Sequence, residues 1–242
     1  MLRFFIRSTD INGCDISLTR EQYHYLATVL RKKAGDRLEI VIETVCVMTA
    51  EIQSLDSRLL QIKIVSEHPI TANRCRLVLV QAIPKGDKMG DIIRRCTELG
   101  VDEFVPLMMT RCVPQWNAKQ LLDRVDRWEK IAHEASQQAH RVSVPVVHPV
   151  MTVQDMAMHF KDSDLKLVPW ECEQDHDIKA VLKHASPIGT VVVVIGPEGG
   201  IDATEIDFLQ SHGFRAVSIS DTILRVENAG FLTFGVIRYE FS

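Results

Sequence analysis

The sequence has no apolar run long enough to cross a bilayer; its longest, Val191 to Ile195, is far too short. The opening stretch MLRFFIRSTD lacks the apolar run and cleavage site of a signal peptide, so a cytoplasmic location is expected. There is no surplus of positive charge. The formal net charge is -4, so any nucleic-acid contact has to come from a local basic patch rather than from the chain as a whole. The six cysteines form no C-x-x-C pair, which points to buried thiols in a reducing compartment rather than to a metal or disulfide framework. The histidines fall into no ligand spacing; Glu171, Cys172 and His176 make a poor cluster, and no metal is expected. Neither G-x-x-x-x-G-K-[ST] nor G-x-G-x-x-G occurs, which argues against a nucleotide hydrolase. Internal repeats and low-complexity tracts are also missing.

What is present is an ordinary globular composition, 46% hydrophobic and 25% charged, over 242 residues. Two textures divide the chain. Residues 1–70 read as a small β-rich domain, with strand-like runs at 37–52 and 58–65 and one short helix after a Thr19 N-cap. The break is expected at 66–74, where Pro69 and Asn73 stand between strand-like runs. From residue 71 to 242, apolar strands alternate with amphipathic helices, which predicts a parallel α/β sheet with helices on both faces. The longest helix is predicted over 118–141, capped by Asn117 and Gln120, with Leu121, Leu122, Val125, Trp128, Ile131, Ala132 and Ala135 as its apolar stripe.

Ligands of such sheets bind beyond the carboxyl ends of the strands, which directs attention to the loops at 84–89, 196–202 and 220–226. In VVVVIGPEGGID, a buried strand ends in Gly196, Pro197, Glu198, Gly199 and Gly200, a turn whose glycines let a ligand approach the backbone. A plain β–α turn is an equal reading of that composition. In SISDTILRVENAG, Arg225 and Glu227 flank the start of a helix, either as site residues or as a solvated pair. In QAIPKGDKMG, Lys85 and Lys88 sit at a strand-to-helix turn that favours anions.

These segments together resemble the RsmE family of 16S ribosomal RNA (uracil-N3)-methyltransferases, of the SPOUT class. The resemblance spans nearly the whole chain. It is carried by QA-x-x-KGDKM, TELGV with P-x-x-x-x-RC, RW-x-x-I-x-x-EA-x-x-Q-x-x-R-x-x-x-P, IGPEGG-x-x-x-x-E and ILR-x-E-x-A, in that order, and by HYLATVLRKKAGD in the first domain. It implies a PUA-like RNA-binding domain followed by a methyltransferase domain with a carboxyl-terminal trefoil knot, an exception to unknotted topology. It further implies S-adenosylmethionine as cofactor, bound by Ile195, Gly196, Gly199, Gly200, Ile219, Ile223, Leu224 and Ala229, and a homodimer acting on the small ribosomal subunit. The chain departs from the family pattern at Ile219-Ser220-Asp221-Thr222, where Leu-Gly-x-Arg is usual. It also departs at Asn228, at Gln137 and in VIETVCVM.

Methyl transfer from a sulfonium is an in-line displacement, so alignment is the protein's main task. The uracil imino proton must also leave, which calls for a base or for a cation that stabilises the uracil anion. Arg225 or Arg3 is expected to hold the substrate's oxygens, and Glu198 or Glu227 to orient these cations or accept the proton. Phosphate contacts are expected from Arg3, Arg7, Arg31, Lys32, Lys33, Lys85, Lys88, Arg111 and Arg141. The rival reading is a non-catalytic RNA-binding or ribosome-assembly protein that keeps the fold.

Overall fold

The computed structural model describes residues 3–43, 45–70, 75–114, 116–185 and 189–241. The chain forms two compact units, Met1–Asn73 with Ser136–Val144, and Arg74–Ala135 with Pro145–Ser242.

Among the described residues, the first unit holds a six-stranded sheet: β1 (Arg3–Ile6), β2 (Ile11–Asn12), β3 (Asp15–Ser17), β4 (Arg37–Ile42), β5 (Cys46–Leu55) and β6 (Leu59–Pro69), in the order β1-β4-β5-β6-β3-β2. β1 runs parallel to β4; the other pairs are antiparallel. The run at 37–52 is thus a hairpin rather than one strand. Alternate residues Leu38, Ile40 and Ile42 of β4 and Met48, Ala50 and Ile52 of β5 share one core with Leu26. Leu26 lies in the π-helical turn Tyr25–Val29, which continues helix α1 (Arg20–His24). Thr19 and Gln22 close the full capping box at the start of α1. The expected break at 66–74 begins too early. Val47, Met48 and Thr49 pair with His68, Glu67 and Ser66, and Pro69 ends the ladder at the position where its missing N–H does least harm. Asn73 lies outside the described residues.

The segment Ser136–Val144 groups with this first unit, an arrangement its sequence does not announce. The Tyr25 hydroxyl donates to Gln137 Oε1 at 3.3 Å, and the Val144 N–H donates to Glu43 Oε1 at 3.0 Å. Arg3 donates through Nε to Glu39 at 3.0 Å and through Nη1 to the His140 carbonyl.

The second unit is built on a parallel sheet: β7 (Arg76–Ala82), β8 (Glu103–Met108), β9 (Val146–Val147), β10 (Met151–Thr152), β11 (Leu165–Pro169), β12 (Thr190–Ile195) and β13 (Arg215–Val217). Among the described residues the order is β10-β8-β7-β12-β11-β13, with β9 also on β8. Its helices are α2 (Lys88–Glu98), α3 (Ala118–Gln138), α4 (Val153–His159), α5 (Ile178–Lys183), α6 (Ala203–Ser211) and α7 (Val226–Glu240). Strand alternation feeds two cores. Leu77, Leu79, Val191, Val193 and Ile195 pack with α2, α3, α5 and α7, whereas Val78, Val80, Val192 and Val194 pack with α4 and α6. Both faces of the sheet are therefore covered, as continuous apolar strands require.

Helix α3 ends at Gln138, short of the expected residue 141. His140 adopts a left-handed backbone (φ 51), and the Arg141 N–H closes onto the Ser136 carbonyl at 3.0 Å, a Schellman stop made without glycine. Asn117 and Gln120 cap its start reciprocally at 2.9 and 3.0 Å. Its stripe needs one correction. Leu122 is 65% exposed, because Leu121, Val125, Trp128, Ala132 and Ala135 keep the helical phase and Leu122 lies one step off it.

Candidate active site

The carboxyl ends of β11 and β12 open into a cleft of about 420 Å³. One wall is the turn after β12, from Ile195 to Ile201. A second is the stretch from Ser218 to Ala229, which leads into α7. The third, Trp170 to Gln174, follows β11. Every expected cofactor residue lines this cleft except Gly199, whose nearest neighbour outside the turn is Arg111. The Trp170–Gln174 wall is not legible in the sequence. Its residues carry no glycine signature, and only the pairing of β11 with β12 and β13 brings them to the same sheet end. Ile223, at the rim, is 88% exposed.

The turn after β12 needs its glycines. A Cβ on Gly196 would lie 2.5 Å from Ile201 Cγ1. Gly200 has φ +73, a conformation that L side chains rarely adopt. The backbone is then fixed from outside. Arg111 donates to the Gly199 carbonyl and to Asp202 Oδ2, each at 3.1 Å, and Asp202 caps α6 in a capping box with Glu205. Arg111, expected to meet phosphate, is thus occupied in bracing this turn.

An ion cluster joins the start of α2, the turn after β12 and the start of α7. Lys88 Nζ lies 2.9 Å from Glu198 Oε1 and 3.4 Å from Glu227 Oε2. Both Glu198 oxygens also accept from the Lys85 N–H at 3.2 Å. Burial alone would raise the Glu198 carboxyl; the Lys88 ammonium and the backbone donors outweigh it and hold the group below the usual carboxylate range. Glu227 is likewise lowered, by its own backbone N–H first, against burial, and then by Lys88 and Arg225. Arg225 itself is exposed and caps α7 without a side-chain hydrogen bond.

The expected cations separate into different situations. Arg3 is engaged with Glu39 and His140 inside the first unit, with 16% of its side chain exposed. Arg7 is exposed but forms a two-pronged pair with Asp10 at 2.8 and 3.1 Å. Arg31 and Lys33 are exposed, and Lys32 donates to the Arg37 carbonyl at 3.2 Å. Lys85 is exposed. Arg141 is 8% exposed, so burial removes it from any surface that could meet a phosphate.

A parallel α/β sheet with a glycine-lined cleft at its carboxyl edge, following a small β domain, defines a class, and comparison with known proteins narrows it. Residues 71–238 match the RNA methyltransferase domain model, and residues 18–65 match the RNA methyltransferase PUA domain. The chain is 28% identical to Ribosomal RNA small subunit methyltransferase E of Bacillus subtilis, over 99% of this chain and 97% of that protein. It is 30% identical to the protein of the same name from Synechocystis, over 94% of this chain and 74% of that one. The crystal structure of the Neisseria gonorrhoeae Ribosomal RNA small subunit methyltransferase E bound to S-adenosyl methionine has the same fold. Its TM-score is 0.84 at 24% identity, covering 99% of this chain and 97% of that one. The chain belongs to the RNA methyltransferase family, and within it to the ribosomal RNA small subunit methyltransferase E proteins.

Proposed function

We propose that this chain transfers a methyl group from S-adenosylmethionine to ring nitrogen 3 of a uridine in the 16S RNA of the small ribosomal subunit. The observation that carries this is the meeting of the Gly196–Gly200 turn and the Ile219–Ala229 stretch in one cleft, in a chain aligned along almost its whole length with methyltransferases of that name. The cleft suits the cofactor. Its volume falls within the range of about 300–1,000 Å³ usual for small-ligand sites. Glycine turns leave backbone groups open, and Ile195, Ile219 and Leu224 supply apolar surface for a purine. Glu171, Glu173, Glu198 and Asp221 on its walls favour a cation such as a sulfonium.

The bound cofactor supplies an activated methyl group; the chain's residues align and deprotonate the acceptor. Arg225 is the exposed cation next to the cleft-lining Leu224 and Val226, and it is assigned to the uracil oxygens. Glu227, one residue on, or Glu198 is assigned to the imino proton. Residues 1–70 form the PUA-like domain and grip RNA through Arg31 and Lys33, and residues 71–242 form the catalytic domain. The protein is a cytoplasmic homodimer with a trefoil-knotted carboxyl end. Among the described residues no helix is long and apolar enough to cross a membrane.

Incubation with labelled S-adenosylmethionine and unmodified small subunits, followed by nucleoside mass spectrometry, tests the activity. The expected product is 3-methyluridine. Absence of both product and cofactor binding would favour the non-catalytic RNA-binding reading.

A further inference from the structure

We propose that Lys88 is a positioning residue for the cofactor: by tying the start of α2 to Glu198 and Glu227, it sets the Gly196–Gly200 turn and the entry to α7 against each other across the cleft. This rests on the S-adenosylmethionine reading of the cleft. The residue types alone suggested a phosphate contact, but the geometry argues otherwise. Lys88 Nζ lies between two carboxylates, 2.9 Å from one and 3.4 Å from the other. An ammonium flanked by two carboxylates has no surplus charge to offer an anion, since the trio is net negative.

Its location also runs against local electrostatics. Lys88 is the first residue of α2, where the helix dipole disfavours a cation. The two carboxylates offset that cost, one from the turn after β12 and the other from the first turn of α7, both of which wall the cleft. Glu198 lines it, and Glu227 follows the lining residue Val226. Each carboxylate is mostly covered, with side-chain exposures of 27% and 23%. One oxygen of Glu227 is buried, with no hydrogen-bond partner among the described residues, and the Lys88 ammonium 3.4 Å away is the charge that faces it. Without the ammonium, two like charges would face each other across the turn, and the loops would separate or one carboxylate would take up a proton.

The test compares full-length Lys88→Met, Lys88→Arg and Glu198→Gln with wild type. Calorimetry measures S-adenosylmethionine affinity; a separate titration measures binding to unmodified small subunits over a salt series. Lys88→Met is expected to weaken cofactor binding about tenfold, the scale of a lost hydrogen bond to a charged group. Lys88→Arg is expected to restore most of the affinity. The salt slope for RNA is expected to stay that of wild type. The pH profile should move as well: wild type loses affinity only below the usual carboxylate range, where Glu198 protonates and releases Lys88, whereas Lys88→Met should regain affinity as pH falls and protonation removes the repulsion between Glu198 and Glu227. Unchanged cofactor affinity together with an RNA salt slope reduced by about one would make Lys88 a phosphate contact and overturn the proposal. A wild-type protein that binds no S-adenosylmethionine would overturn the cofactor reading instead. Thermal melting identifies any variant that fails to fold. In that event Glu198→Gln, which keeps the shape but removes the charge, decides: weakened cofactor binding supports the clamp, and wild-type affinity overturns it.

Discussion

A methyl group added to Gly200 would fall 2.4 Å from Oε1 of Glu171, on a backbone held at φ +73. Two independent obstacles therefore stand against Gly200→Ala, and they differ in kind. The Glu171 carboxylate is the end of an exposed, flexible side chain and can swing away. The left-handed backbone cannot, and an L-residue there costs about 1–2 kcal/mol. Gly200→Ala should lower the melting temperature by about 2–4 °C per kcal/mol lost and weaken S-adenosylmethionine binding. Adding Glu171→Ala should recover little of the melting temperature. Full recovery by the double variant, followed by differential scanning calorimetry, would mean that the side-chain clash and not the backbone sets the cost.

Gly196 presents the opposite case. Its backbone is ordinary, but a Cβ would meet Ile201 Cγ1 at 2.5 Å, and Ile201 is 5% exposed in a packed core. Overpacking of this sort costs about 1–3 kcal/mol. Gly196→Ala should destabilise the protein by that amount, and Ile201→Ala in the same chain, which removes Cγ1 itself, should make the combined loss smaller than the sum of the two single losses. Chemical denaturation of the single and double variants reads the coupling. Strict additivity would refute the contact as the cause.

Helix α3 offers a contrast between two of its expected core residues. Trp128 is 1% exposed and Leu122 65%. Trp128→Ala should cost about 3–5 kcal/mol, and Leu122→Ala should stay within about 0.5 kcal/mol. Equal losses in urea unfolding would show that the Leu122 face is covered in solution.

That contrast also marks what the residues reveal unaided. The phase of α3, the Thr19 and Asn117 caps and the apolar run of β12 are written in local chemistry, and the structure forms them in those places. So are the two glycine-bearing or helix-leading stretches that meet at the cleft. Features that depend on distant partners are not. The Trp170–Gln174 wall is ordinary polar sequence until strand pairing delivers it to the sheet end. The stop of α3 at a left-handed His140 lacks the glycine that usually announces it. Ser66–Pro69 has the composition of a linker yet lies in a ladder with β5. Arg3, Arg111 and Arg141 read as free cations because sequence does not show the carboxylate, carbonyl or core that each one meets.

Glu103, at the start of β8, is a carboxylate only 8% exposed. Burial by itself would raise its carboxyl. His148 Nε2 at 2.8 Å and the Arg76 guanidinium outweigh burial and hold it below the ordinary value of 4.5. A carboxyl whose folded pKa lies below its unfolded one binds fewer protons in the native state there. It stabilises the fold fully above the unfolded value, and that stability is lost as pH falls through the folded one. The melting temperature of wild type should therefore decline on the acid side of 4.5. Glu103→Gln should melt lower at neutral pH, since it leaves Arg76 and His148 without their partner, but its acid limb should be shallower. Thermal melts from neutral pH to pH values below the carboxylate range check both halves. An acid limb as steep in Glu103→Gln as in wild type would place the acid-sensitive charge elsewhere.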